Sequence, residues 1–66
     1  MQLVVNGEAR EVAGAPTLGA FLAVRGLNPR MVVVERNGEI VPRPRYDDTP
    51  LAEGDTLEIV QMMAGG

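Results

Sequence analysis

Apolar and polar positions alternate from the start of the chain. Met1, Leu3 and Val5 fall on one side of an extended segment and Gln2 and Val4 on the other, which is strand periodicity. Asn6-Gly7 supplies the two positive-φ residues of a type I′ hairpin turn, and Glu8 to Val12 returns as the second strand. Gly14-Ala15-Pro16 breaks that strand, and the period then changes. Leu18, Phe21 and Leu22 stand at i, i+3 and i+4, so the spacing predicts a helix over 17–25. Thr17 is placed to cap its first turn, Gly26 suits the position just past its end, and Pro29 follows shortly after. Arg25 lies on the apolar side of this helix, where its guanidinium can snorkel toward solvent and the last carbonyls.

Met31 to Arg36 reads as a Val-rich strand, Asn37-Gly38 as a second tight turn, and Glu39-Ile40-Val41 as the return. The triplet N-G-E recurs at 6–8 and 37–39, and shared hairpin chemistry explains it better than an internal repeat. Pro42-Arg43-Pro44-Arg45 cannot be a central strand, because neither proline donates to a ladder. Residues 42–54 are therefore expected to form an irregular crossover, with one short helical turn after Asp48 and Leu51 anchoring it to the core. Glu53-Gly54-Asp55 is a turn, and Thr56 to Gln61 is the last strand. This order is that of the β-grasp, an α+β fold with one main helix packed on a four- to five-stranded mixed sheet. The first and last strands lie side by side at its centre. One domain spans 1–61, and residues 62–66 form a flexible tail.

Composition narrows the chemistry. A chain of 66 residues buries only about 60% of its unfolded surface. With one Phe, one Tyr and no Trp, the expected core is aliphatic. Nine acids against six arginines give no basic stripe for phosphates, so nucleic acid is not an expected partner. No apolar run reaches the ~20 residues that cross a bilayer, nothing resembles a signal peptide, and a cytoplasmic monomer is the default expectation. The chain has no His, Cys, Ser or Lys, which removes the usual general bases and covalent nucleophiles. Catalysis by this chain alone is therefore not expected. The absence of Lys has two readings, an arginine-biased composition, which is the favoured one, and a protein that carries an activated acyl group and avoids amines of its own.

The last eleven residues, T-L-E-I-V-Q-M-M-A-G-G, lay out an apolar strand running into a slim end of two glycines. That layout is similar to a ubiquitin-like C-terminus. Two further stretches, N-G-E-I-V-P-R (37–43) and L-A-E-G-D-T-L-E-I-V (51–60), resemble segments of the bacterial thiamine-biosynthesis sulfur carrier family, ThiS. The resemblance spans the whole chain. It implies that a ThiF-type adenylating enzyme uses ATP to activate the carboxylate of Gly66, and that sulfur from a donor enzyme then replaces AMP. The resulting thiocarboxylate would deliver sulfur to thiazole synthase (ThiG). No cofactor would be bound by the chain itself. Gly65, with Ala64, Met63 and Met62, would form the tail that partners recognise, slim at its end and flexible at its methionines.

Other residues admit plainer readings. If Leu57 and Ile59 face the core, Val60 faces outward, and Val33 does so between Val32 and Val34. Val33, Val60 and Met62 are the expected partner-docking patch. Asp47-Asp48 is read as a turn or cap rather than a metal site, and Arg43 and Arg45 as a solvated loop. The glycines at 7, 14, 19, 26, 38 and 54 are placed singly at turns and helix ends. Three alternatives remain open. The small subunit of molybdopterin synthase shares fold and tail, but those chains carry an aromatic and prolines where this one has M-M-A. A ubiquitin-like modifier would join Gly66 to a target amine, and a β-grasp interaction module would leave the tail idle.

Overall fold

Two asparagine–glycine turns organise the sheet. In the computed structural model, which describes residues 1–62, Asn6 and Asn37 take φ of 50° and 52°, and Gly7 and Gly38 follow at 82° and 86°. Both central residues of each turn are thus left-handed, as a two-residue hairpin loop requires. The first turn joins β1 (Gln2–Val5) to β2 (Glu8–Glu11), and the second joins β3 (Val32–Arg36) to β4 (Glu39–Ile40). The last strand, β5 (Thr56–Gln61), inserts between the hairpins, parallel to β1 and antiparallel to β3. The sheet order is β2-β1-β5-β3-β4, the expected β-grasp with first and last strands at its centre.

The recurring asparagines do more than turn the chain. The Asn6 side chain accepts from the Ile59 N–H (2.7 Å) and donates to the Ile59 carbonyl (3.2 Å). The Asn37 side chain accepts from the Thr56 N–H (2.9 Å), while the Asn37 backbone N–H donates to the Thr56 carbonyl (2.8 Å). Each N-G-E triplet therefore closes a hairpin and also fastens that hairpin to β5. Shared hairpin chemistry accounts for only half of the recurrence.

One face of the sheet is covered by α1 (Leu18–Val24), which buries Leu18, Phe21 and Leu22. The helix begins where expected, with the Thr17 hydroxyl accepting from the Ala20 N–H at 3.1 Å. It ends with Gly26 at φ 74°, its N–H bonded to Ala23 and that of Leu27 to Leu22 (both 3.0 Å), a Schellman closure of the orphan carbonyls. The Arg25 guanidinium turns back over the Phe21 ring, 5.5 Å from its centroid, instead of reaching those carbonyls.

The crossover differs from the sequence expectation in two ways. A 3₁₀ segment spans Arg43–Asp48, ending at Asp48 rather than starting after it, because Pro44 in its first turn already holds a helical φ. This segment buries Tyr46, whose hydroxyl donates to the Val32 carbonyl at 3.2 Å. The core thus uses both aromatics beside Leu3, Val5, Leu57 and the helix leucines. Gly19 lies inside α1, not at its end, and a Cβ there would run into the Asp47 carboxylate, so its absence lets the 3₁₀ segment press against the helix. Leu51 anchors the chain as expected, buried and bonded through its N–H to the Pro16 carbonyl at 3.0 Å. No helix among the described residues is long and apolar enough to cross a membrane.

Candidate functional site

Strand periodicity puts alternate residues of β5 on opposite faces. Leu57 is fully buried beneath the helix and Ile59 is partly buried, so Thr56, Glu58 and Val60 face the open side. Val33 of β3 stands directly opposite Val60. Val60 is 62% exposed, Val33 37% and Met62 40%, an apolar patch on the face that no helix covers. Ile40, at 66%, adds to it from β4 through its pairing with Glu35.

The ladder continues one step past β5. The Met62 N–H donates to the Met31 carbonyl at 2.7 Å, Gln61 pairs with Val32, and the Tyr46 hydroxyl caps the Val32 carbonyl from beneath. Met62 is thus fixed at the sheet margin beside the apolar patch. Met63, Ala64, Gly65 and Gly66, read from the sequence as tail and reactive terminus, lie outside the described residues.

The start of β5 is built differently. The Asp55 carboxylate is buried, and it accepts from Arg36 Nε (2.8 Å), Asn37 Nδ2 (3.0 Å) and the Ala52 N–H (2.8 Å). Burial alone would raise its pKa. The donors from Asn37, Arg36 and Ala52, with the Arg36 charge, outweigh that and hold the carboxyl below the ordinary value. Such a group is an ionised structural anchor, a poor proton carrier at neutral pH.

Elsewhere the chemistry is sparse. Among the described residues no three His, Cys, Asp or Glu side chains gather as a metal site would require. Asp47 packs over Gly19, and Arg43 donates through Nε to the Pro29 carbonyl at 2.8 Å, so both have structural work in the crossover. A groove of about 450 Å³ runs between α1 and the edge strand β2, lined by Val12, Phe21 and Val24 among others. It lies on the helix side of the sheet, away from Val33 and Val60.

Comparison with known proteins decides the family. The ThiS family model matches residues 3–66, nearly the whole chain and through its last residue. The chain belongs to the ThiS family. A crystal structure of the thiamine biosynthesis protein ThiS from Geobacter metallireducens superposes over 100% of both chains, with a TM-score of 0.82 and 35% identity. The sulfur carrier protein ThiS of Bacillus subtilis is 40% identical over 50 residues, 76% of each chain. A thiazole synthase of Paramagnetospirillum magneticum is 46% identical over all 66 residues, although this chain spans only 20% of that protein's length.

For a member of the ThiS family, the sequence-derived patch residues come together in the fold, with Met62 at its margin. The sequence reading misses Ile40, because a two-residue strand offers no period from which to assign its face. It also misses the clasp of Met31, Val32 and Tyr46, which depends on contacts between distant segments.

Proposed function

We propose that this chain is a sulfur carrier of thiamine biosynthesis that works through the carboxylate of Gly66. The observation that carries the reading is the family match running through Gly66, on a fold whose ladder includes Met62. Four residues separate Met62 from the reactive carbonyl. Fully extended they reach at most about 14 Å, so an enzyme that grips Gly66 must also approach the patch of Val33, Val60 and Ile40. The patch is accordingly the docking surface, and Gly65, Ala64, Met63 and Met62 form the segment threaded into the partner.

A carboxylate is a poor electrophile, because its charge repels nucleophiles and oxide is a poor leaving group. A ThiF-type enzyme overcomes this by attaching AMP from ATP to the Gly66 carboxylate, releasing pyrophosphate. Sulfide delivered by a donor enzyme then attacks the carbonyl carbon, AMP departs, and a thiocarboxylate remains. The carrier supplies a substrate and no catalytic group, in keeping with the absence of His, Cys, Ser and Lys from the sequence. A relative named thiazole synthase favours that enzyme as the recipient over molybdopterin synthesis.

Intact-protein mass spectrometry tests the reading. The chain is incubated with ATP, a ThiF-type enzyme and a sulfur source. The expected result is a mass gain matching one oxygen replaced by sulfur, mapped to Gly66 and absent when Gly66 is deleted. No gain with a demonstrably active enzyme would leave protein modification or a plain interaction module as the working alternatives.

A further inference from the structure

The open face carries charge beside its apolar patch, and the charge is one-sided. One same-face step along the β3–β5 ladder from Val33–Val60, Glu35 stands directly opposite Glu58. On its other side Glu35 faces Ile40. Like charges in directly opposed positions of an antiparallel pair repel, so this arrangement works against the isolated sheet. The chain's own cations do not relieve it. Of the six arginines only Arg10 and Arg36 lie in strands, and both share the helix side, opposite the buried Leu3 and Leu57. There Arg10 pairs with Glu8 and Arg36 with Asp55. Neither Glu35 nor Glu58 takes part in a salt bridge among the described residues.

We propose that Glu35 and Glu58 form a receptor for one arginine or lysine of the adenylating enzyme, inserted between them as apolar side chains of the same enzyme cover Val33, Val60 and Ile40. The proposal rests on the carrier reading above and adds the charge that the partner must present. A guanidinium between two carboxylates gains both attractions and removes their mutual repulsion, so docking relieves a cost already present in the free carrier. The apolar patch supplies contact area, and the glutamate pair sets register and selects against partners with an acidic rim. The short reach from Met62 to Gly66 makes that register matter, because a slipped docking would draw the carbonyl away from the nucleotide.

Glu35→Gln, Glu58→Gln and the double variant test this, with Glu39→Gln as a control that removes the same charge from the helix side of β4. Thermal unfolding reports the fold, and initial rates of Gly66 adenylation are measured from low to high salt. The expected result is that each open-face variant melts at or above the parent temperature while its kcat/KM falls about tenfold, mainly through KM. The double variant loses most of the salt dependence, and Glu39→Gln behaves as the parent. Parent-like kcat/KM and salt dependence in the double variant would overturn the receptor and leave a purely apolar docking surface. Equal losses in Glu39→Gln would overturn it in favour of a general charge effect. If the unsubstituted chain is not adenylated at all, the carrier reading itself falls, and the receptor with it.

Discussion

The two ends of β5 are built on opposite plans. At Thr56 the strand is entered through Asp55, 6% exposed, with three donors on its carboxylate and Asn37 bonded to both the N–H and the carbonyl of Thr56. Toward Gln61 the outward side chains are apolar and solvated, with Val60 62% exposed. Polar groups there are engaged mainly through the backbone, ending in the bond from Met62 to Met31. A domain of this size is stable by only about 3–10 kcal/mol. Leaving Val60 and Met62 in water beside Val33 of β3 and Ile40 of β4 is tolerable when the sheet that presents them is anchored at the start of β5. The contrast separates what holds the sheet from what the sheet offers.

Substitutions at the two ends should therefore change different observables. Asp55→Ala leaves the Ala52 N–H and Asn37 amide without their acceptor and strips Arg36 of its counterion. A loss of about 2–3 kcal/mol in urea unfolding is expected, a large share of the total. A loss below about 0.5 kcal/mol would remove the anchor from the account.

The asparagine clamps come next. Asn37→Ala and Asn6→Ala each delete two side-chain hydrogen bonds and place alanine at positive φ, with an expected cost of about 1–2 kcal/mol. Replacement by Gly relieves the backbone and recovers part of that, which separates the turn from the clamp. If Gly restores full stability, the bonds to β5 contribute nothing.

Acid titration sharpens the anchor further. The folded-state pKa of Asp55 lies below its ordinary value of 3.8, so the unfolded chain takes up the proton first. Its contribution is complete above that value and is lost as pH falls through the lower folded one. Asp55→Asn should flatten this part of the acid limb, and an unchanged slope in the variant would contradict the assignment. The smallest stability effect belongs to the other end. Val60→Asp should change unfolding by no more than about 0.5 kcal/mol, yet abolish efficient adenylation of Gly66. An unfolded variant, or one adenylated normally, would erase the distinction between the two ends.

Much of the scaffold is legible in the sequence because its signals are local. Asn6-Gly7, Thr17 and Gly26 each specify a turn or cap within a few residues, and alternation around Val33 and Val60 already assigns their outward faces. What escapes is set by distant pairing. That Tyr46 enters the core depends on the Pro44 turn meeting the start of β3, and the close approach of Asp47 to Gly19 depends on the same packing. The Glu35–Glu58 opposition exists only through the register between β3 and β5, which neither strand encodes alone. The proposed reactive terminus is the reverse case. Gly65 and Gly66 are read from the sequence and the family match, and they lie outside the described residues.

The most direct test supplies the chain, prepared with a thiocarboxylate already at Gly66, to thiazole synthase as the sole sulfur source. The account predicts that labelled sulfur appears in the thiazole and that the carrier returns to its carboxylate mass. A thiocarboxylate that persists beside a synthase shown to be active with another carrier would contradict the claim that this chain serves thiazole formation.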